Sequence, residues 1–522
     1  MALMLGNQRS LATAVWLALV LLAAPVLADE IRLKDGEVIH GAVYGRTKGR
    51  LVVETATGAR QVRLADVEEH LEGEAPHREL ARREAALAAE NTEGRAELAW
   101  FAWRYRLDEA ARRLARAAVA IDPDQAPARE LLGERREGAG WVRGWAPPWG
   151  AAGSFGPRWG EARRRAWGQG RGNAAAKRAV EAGLRWLAAH QDEDGKLDAD
   201  GFPRHDPPED RCDGIGGGHH GEPQPCAFDP VTTGVALLAW MSAGSTPISG
   251  PYRKHVDRAL RWCVQAMEGG PATAYDLWNH AFLTQAVADA YLVTRDPALR
   301  QALEREVPAL LRHQREDGGF SYYLEVGDVP TTAAVATALG LAAQAGIVIE
   351  AGRMAEILTF LDARLERETG RSEYHEGAEH KGYTPTRANA AGALAARAFL
   401  GRLADAPLLD AQVKAISDRP PRWSISFKVV KASDGREVRA QIGNLYPYQW
   451  YYTTLALACH GGASWSGWFE ALQAALAKGQ RRDGSARGSW DPLGQYSSSA
   501  GRVFITGICV LMLEAPCRYP RP

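Results

Sequence analysis

The stretch Leu310-Leu-Arg-His-Gln-Arg-Glu-Asp-Gly-Gly-Phe320 decides the fold of this chain. It ends an amphipathic segment at Gln314, enters a turn at Gly318 and continues with an aromatic side chain. Glycine readily adopts the left-handed backbone conformation of a tight turn. The stretch therefore predicts the end of a helix followed by a sharp turn.

The same pattern, a helix-ending Gln followed by Asp-Gly, occurs twice more in the chain. Residues 183–191 end in Gln191 before Asp194-Gly195, and residues 476–480 end in Gln480 before Asp483-Gly484. Internal repetition over tens of residues is the signature of a repeat architecture, in which each unit buries its apolar face against its neighbours.

Between these segments lie almost wholly apolar helices that are rich in Ala and Gly. They start near Val231, Trp278, Thr331, Thr386, Trp450 and Val503, at spacings of 47, 53, 55, 64 and 53 residues. A helix that is apolar all round must be buried, and small side chains let buried helices approach closely. Six such helices, each preceded by an amphipathic one, predict a mainly α protein whose residues 174–522 form an α/α toroid of six helix pairs.

These turns, with Gln449-Trp-Tyr-Tyr-Thr-Thr-Leu-Ala-Leu and Gly488-Ser-Trp-Asp-Pro, resemble the repeats of the prenyltransferase and squalene-cyclase (terpenoid cyclase) family. More closely, they resemble exported bacterial members of unknown activity. The resemblance covers about two-thirds of the chain. It implies the α/α-toroid fold and leaves the activity open, because the chemistry of a site and not the fold decides function.

The motifs that carry the family's chemistry are missing. Triterpene cyclases use an Asp-x-Asp-Asp motif, whose nearest match here is the turn Asp192-Glu-Asp-Gly. Protein prenyltransferases bind zinc through Asp-x-Cys and a downstream His, but Pro330 stands where the Cys would follow Asp328. Thioester-bearing relatives need Gly-Cys-Gly-Glu-Gln, which the sequence lacks. Since catalytic zinc needs three protein ligands, we predict neither a metal nor a cofactor from the resemblance.

The first part of the chain combines an export signal with a β module. Residues 1–28 place Arg9 before an apolar run and a small-residue cleavage site, which is typical of a signal peptide; an uncleaved anchor is the alternative. Residues 29–73 alternate apolar and polar side chains around Asp35-Gly36, which predicts a small antiparallel β module.

Two further regions lead to the toroid. Residues 76–137 have helical periodicity, and the part from Glu97 to Gly133 resembles a tetratricopeptide unit, which cannot bury its own face alone. Residues 138–173 are rich in Gly, Pro, Arg and Trp, and we expect a linker whose Trp side chains are docked.

The net charge and the predicted signal peptide limit the kinds of binding partner that we expect. Lys plus Arg and Asp plus Glu are 63 each, so the formal net charge is zero and a nucleic-acid partner is not expected. The signal sequence predicts a periplasmic or secreted protein with no stable membrane span after cleavage. The modules before the toroid are candidates for contacts with protein partners.

The N-termini of the inner helices are expected to gather at one end of the toroid, where free amides and helix dipoles favour polar or anionic ligand groups. The side chains predicted to bind a ligand there are Asp276, Asn279, His280, Tyr383, Arg387, Trp450 and Tyr451. Core packing is the alternative for the two aromatic members. Helix capping is the alternative for Asp229 and Asp328, which lie at the same end.

The cysteines leave two interpretations open. Cys212 with Cys226, or Cys509 with Cys517, are local options for disulfides in an oxidising compartment. Alternatively, four potential zinc ligands lie close together in sequence, namely Cys212, His219, His220 and Cys226. The segment is irregular and rich in Gly and Pro, so we predict no metal there.

Three functions are compatible with the sequence. The main hypothesis is a ligand-binding or scaffold protein whose toroid holds an apolar or glycan-like molecule. The alternatives are an enzyme acting on an isoprenoid or other lipid, and a polysaccharide lyase or hydrolase. The last would need paired carboxylates or a convergent set such as Asp276, His280, Tyr383 and Arg387.

Overall fold

The computed structural model describes residues 29–47, 49–55, 58–71, 76–104, 107–132, 134–137, 140–143, 163, 166–168, 171–216, 228–247, 250–294, 296–322, 324–378, 384–401, 406–424, 426–431, 437–442, 445–494 and 497–518. The chain divides into two compact units, residues 1–123 and 124–522. The predicted signal peptide lies outside the described residues, as do Tyr383, His219, His220 and Cys226.

The first unit contains an antiparallel five-stranded sheet. Its strand order is β4-β3-β2-β1-β5, formed by β1 (Asp29–Leu33), β2 (Val38–Thr47), β3 (Arg50–Thr55), β4 (Gly58–Arg63) and β5 (Val67–Leu71). Alternate residues point to one face, where Ile31, Leu51 and Val53 are fully buried. The period of two seen in the sequence therefore builds a single apolar layer.

Three helices complete the first unit: α1 (Pro76–Ala85), α2 (Thr92–Arg104) and α3 (Asp108–Ile121). α2 packs on α3, and α1 packs on α2. Ala99, Ala102 and Ala111 are fully buried, since small side chains let these helices approach closely. The second unit begins with the short α4 (Ala126–Leu131) and the hairpin of β6 (Glu134–Glu137) and β7 (Gly140–Arg143).

Buried helices form a ring in the described part of the second unit. They are α6 (Asp229–Ser242), α8 (Leu277–Thr294), α10 (Val329–Gln344), α12 (Arg387–Phe399), α14 (Pro447–His460) and α16 (Ser497–Leu513). Each contacts the next, and α16 contacts α6. Nearly every described side chain of α10 and α12 is buried, as expected for helices that have neighbours all round.

Amphipathic helices lie outside this ring and alternate with the inner ones along the chain. They are α5 (Ala174–Ala189), α7 (Arg253–Ala266), α9 (Pro297–Leu311), α11 (Ala351–Ala363), α13 (Ala406–Ser417) and α15 (Gly462–Gly479). Each of the last five packs on the inner helix that precedes it in the chain, and α5 packs on α16. The second unit is therefore an α/α toroid, as the sequence predicts.

The repeated glutamines join neighbouring outer helices. The Gln191 side-chain amide donates to Gly195 O in its own turn and to His255 O on α7, both at 3.0 Å. Gln314 likewise donates to Gly318 O at 3.0 Å and to Arg353 O on α11 at 3.2 Å. Each glutamine satisfies two backbone carbonyls that would otherwise need water.

The third glutamine connects the last outer helix to the first. Gln480 donates to Gly488 O at 2.8 Å and to Ala179 O on α5 at 2.7 Å. Here the turn closes on Gly488, not on the Gly484 that the sequence pattern suggests. The repeated motif is thus a structural connection, and it ties the two ends of the ring together.

The C-terminal segment covers the end of the toroid at which the inner helices have their C-termini. The short helix α17 (Ala515–Arg518) contacts α6, α14 and α16. Arg163 reaches this end from the predicted linker and donates to Glu514 Oε1 at 2.6 Å and to Ser242 O at 3.1 Å. In the same linker, Trp167 packs against the toroid core.

Two features of the structure differ from options that the sequence leaves open. Cys509 is a buried thiol and the Cys517 sulfur lies 3.9 Å from the Arg163 carbonyl oxygen, so the optional disulfide between these two residues does not form. Short strands interrupt the helical toroid, namely the pairs β8 (Leu365–Glu366) with β9 (Arg371–Ser372) and β10 (Ser426–Lys431) with β11 (Glu437–Ile442). Apolar and polar side chains alternate on both sides of Asp434-Gly435, and this alternation is the sequence signal for the longer hairpin.

Among the described helices, none has the length and apolarity needed to cross a membrane.

Candidate functional site

The connections that lead into the inner helices are long and gather at one end of the ring. The first runs from the end of α5 at Ala189 to the start of α6 at Asp229, whereas the return from α14 to α15 contains only Gly461 between the helices. Long connections can carry side chains for recognition on a rigid scaffold. This end, at the inner-helix N-termini, is therefore the place to look for a site.

Tyrosine side chains follow one another along this end. The Tyr275 ring lies 6.3 Å from the Tyr322 ring, and the hydroxyl oxygens of Tyr322 and Tyr374 are 3.4 Å apart. Tyr275 is 62% exposed, which is high for an aromatic side chain. We call these three residues the tyrosine row. They come from three successive connections, before α8, before α10 and before α12.

Beneath this end, aromatic side chains meet across the centre of the ring. Trp278 at the start of α8 lies 5.7 Å from Tyr448 on α14, and Phe282 lies 6.4 Å from Tyr451. Phe282 also meets Phe504 of α16 edge to face at 5.8 Å. α8 and α14 are not neighbours in the ring, so these contacts fill its centre at this level. The tyrosine row thus lies beside a packed centre and not at the mouth of a deep apolar channel.

The predicted ligand-binding residues have local partners. Asp276 accepts a hydrogen bond from the Thr273 amide at 2.9 Å and caps the turn before α8. His280 faces outward, with Nδ1 2.7 Å from Glu306 Oε1 on α9. Arg387 pairs with Asp418 at 2.7 Å. These three contacts point to three different places, so the convergent set proposed from the sequence is not supported by its described members.

The other described residues of the predicted set are buried. Asn279 is buried next to His280, and Trp450 and Tyr451 are almost completely buried. Trp450 packs edge to face on Trp423 at 6.2 Å. Both rings are buried, and the Tyr451 ring lies 6.4 Å from the Phe282 ring.

The capping alternative holds for Asp328 and fails for Asp229. Asp328 is fully buried and accepts from the Thr331 amide at 2.8 Å at the start of α10. Burial raises the pKa of this carboxyl to about 6, although the hydrogen bonds from Ser321 and Thr331 oppose the shift. Asp229 instead accepts from the Ala199 amide at 2.8 Å, which belongs to the preceding connection.

Asp229 belongs to a carboxylate cluster with Asp198 and Asp200, whose oxygens lie within 4.8 Å of one another. The Lys196 ammonium lies 3.0 Å from Asp198 Oδ2 and 2.9 Å from Asp229 Oδ2. Lys196 thus already supplies a positive charge to two of the three carboxylates.

Within the carboxylate cluster, the pKa of Asp198 is lowered and the pKa of Asp200 is raised. Burial opposes ionisation of Asp198, but hydrogen bonds from Arg204, the Gly201 amide and Lys196 hold its pKa well below the ordinary value. Burial raises the pKa of Asp200, and the neighbouring Asp198 raises it further. Two adjacent carboxyls with opposite shifts are a recurrent arrangement in acid–base catalysis.

Sequence reasoning missed the tyrosine row and this cluster because neither forms a motif. Tyr322 is the residue whose place in the repeat offers a signal, since it follows the Gly-Gly-Phe turn by two positions. Asp198 and Asp200 are separated from Asp229 by a long connection whose path the sequence does not reveal.

No protein-family model and no curated protein matches the chain. Among solved structures, an inactive variant of an α-1,6-mannanase of Salegentibacter sp. HEL1_6 in complex with α-1,6-mannotetrose is similar, with 12% identity, a TM-score of 0.43, and coverage of 66% of this chain and 100% of that chain. A novel α-amylase from Clostridium perfringens is also similar, with 12% identity, a TM-score of 0.42, and coverage of 65% and 97%. Neither similarity assigns an activity to this chain.

Proposed function

We propose that this protein binds a glycan at the inner-helix N-terminal end of the toroid, on the tyrosine row. The observation that carries the proposal is the exposed Tyr275 in line with Tyr322 and Tyr374. A sugar ring presents an apolar C–H face that packs on an aromatic ring, and hydroxyls that bond to phenolic oxygens. A row of tyrosines offers both kinds of contact along an extended chain.

A lipid ligand is less compatible with the same geometry. An isoprenoid chain needs a deep apolar cavity that buries most of its surface. The cross-ring contacts of Trp278 with Tyr448 and of Phe282 with Tyr451 occupy the centre of the ring. The missing Asp-x-Asp-Asp motif and the Pro330 beside Asp328 point the same way.

Further proposals concern the signal peptide, the helix pairs of the toroid and the two modules that precede it. Export by the signal peptide at residues 1–28 would place the toroid in the periplasm or outside the cell, where glycans are abundant ligands. We further propose that the toroid consists of six helix pairs related to the prenyltransferase and squalene-cyclase repeats. The β module and the tetratricopeptide-like helices are proposed to contact protein partners.

Substitution of Tyr275 by Ala tests the binding proposal. We expect at least about a fivefold weaker affinity for the soluble oligosaccharide that the wild type binds best in a panel of mannans, glucans and xylans, because a stacking ring contributes about 1–3 kcal/mol. Isothermal titration calorimetry measures the change.

Two matched variants accompany this test. Tyr275→Phe keeps the ring and should retain most of the affinity. Val348→Ser changes a side chain that is 92% exposed in the connection after α10, at the opposite end of the toroid, and should have no effect. Unchanged affinity in Tyr275→Ala would refute a role for the tyrosine row.

Hydrolysis of the bound glycan is a second candidate function, favoured by the opposite pKa shifts of Asp198 and Asp200. Asp200, with its raised pKa, would act as the general acid, and Asp198 would remain ionised as its partner. Asp200→Asn should then reduce the release of reducing ends by at least about 100-fold while the fold is retained. Asp194→Asn, an exposed substitution in the turn after α5, serves as the control. Absence of reducing ends with every polysaccharide in the panel would exclude this candidate and leave the binding proposal intact.

A further inference from the structure

Three potential metal ligands meet at the end of α5, apart from the tyrosine row. One ligand atom each from His190, Asp206 and Cys212 lies within 4.8 Å of the other two. All three side chains are buried. The cluster includes Cys212, the one described member of the zinc set considered from the sequence, but its two partners come from residues upstream of that set.

The hydrogen bonds of His190 fix the state of its ring. Nδ1 lies 2.7 Å from the Trp186 carbonyl oxygen, and since a carbonyl accepts, Nδ1 carries a proton and donates. In the neutral ring, Nε2 then has only a lone pair, yet it lies 2.9 Å from Asp206 Oδ1. Two acceptors at this distance need either a proton or a metal ion between them.

The surroundings of the three side chains favour a metal. The Trp186 carbonyl orients the imidazole so that Nε2 faces the cluster, and the Cys212 amide donates to Asp206 Oδ2 at 2.8 Å, which orients the carboxylate. Hydrogen bonds of this kind hold the ligands in metal sites of proteins. The Trp186 ring stacks on the His190 ring at 4.1 Å and closes one side.

The donor set indicates which metal would bind. Imidazole nitrogen, thiolate sulfur and carboxylate oxygen together suit zinc, whereas calcium and magnesium prefer oxygen ligands alone. A dication would take the place of the proton between Nε2 and Oδ1 and, with the Cys212 thiol deprotonated, would bind the sulfur as well.

We propose that His190, Asp206 and Cys212 bind a zinc ion. The ion would join the end of α5 to the connection that leads to α6, with water or a substrate group as the fourth ligand. This inference does not depend on glycan binding, since none of the three residues belongs to the tyrosine row.

Metal analysis of the chain from Asp29 onward, purified without chelator, tests the site. We expect one zinc per chain by inductively coupled plasma mass spectrometry, and a zinc affinity at least about 100-fold weaker in Cys212→Ser and in Asp206→Asn by competition with a chromophoric chelator. Cobalt exchanged for zinc should give a thiolate-to-cobalt charge-transfer absorption that disappears in Cys212→Ser.

Cys263→Ser is the matched control, because Cys263 is a buried free thiol on α7 outside the cluster. It should keep the metal and the cobalt absorption. Circular dichroism checks that each variant folds, and a melting temperature that rises with added zinc in the wild type and not in Asp206→Asn gives a second readout. A folded wild type that takes up no zinc, or a cobalt spectrum unchanged in Cys212→Ser, would overturn the proposal and leave a proton between the two acceptors.

Discussion

Replacement of Gly318 by Ala should lower the free energy of unfolding by about 3 kcal/mol, through two effects that act together. Gly318 has φ of +85°, which L side chains rarely adopt. A Cβ added there would lie 2.5 Å from the Glu356 carbonyl oxygen of α11, so the turn and the outer helix could not keep their present distance. The Gln314 bonds to Gly318 O and Arg353 O depend on that distance. Urea denaturation followed by tryptophan fluorescence measures the loss.

Gly269→Ala separates the two effects. Gly269 has nearly the same φ, +88°, in the turn after α7, but nothing lies within 4 Å of a Cβ added there. Only the cost of the backbone conformation applies, so we expect a loss of about 1 kcal/mol. Equal losses in the two variants would mean that contact between the turn and α11 does not limit the substitution.

The second large effect concerns pH. Asp328 has a pKa of about 6 in the folded protein against an ordinary value of 3.8, so the folded state binds more protons between these pH values. Its contribution to stability is therefore complete below about pH 4 and is lost as the pH rises through 6. We expect the stability of Asp328→Asn relative to wild type to increase by about 3 kcal/mol between pH 4 and pH 8, since Asn stays neutral.

The comparison with a variant is necessary because another group acts in the opposite direction. Burial lowers the pKa of His255 to about 4, with a contribution from Arg258, so this residue makes the protein more stable as the pH rises from about 4 to 6.5. The difference between wild type and Asp328→Asn cancels the His255 contribution. Urea denaturation at both pH values provides it, and a difference that does not vary with pH would contradict the buried, raised carboxyl.

The repeated turns were predictable from the sequence because their chemistry is local. At three places where an outer helix meets the next one, a glutamine bonds to a glycine carbonyl a few residues later, so the same residues recur after Gln191, Gln314 and Gln480. The third turn shows the limit of this reasoning, because Gly488 and not Gly484 accepts the bond and four extra residues are looped out.

The polar residues of the inner helices were harder to place. His280 and Arg387 stand on otherwise apolar helices, and the sequence cannot say whether such a side chain faces the centre of the ring or the outer layer. In the structure both face outward to carboxylates, Glu306 and Asp418, since a buried charge needs a partner. The side chains predicted to line the rim are not those that form the tyrosine row.

The helical repeat, the alternation of apolar and amphipathic helices and the absence of the family's catalytic motifs can be recognised in the sequence, because each depends on residues close together in the chain. The residues that meet at the end of the ring are known only from the folded structure. The tyrosine row, the carboxylate cluster and the group of His190, Asp206 and Cys212 each combine side chains from separate segments of the long connections. Contacts between residues that are distant in the chain fix the paths of those connections. A local sequence pattern therefore does not predict these paths.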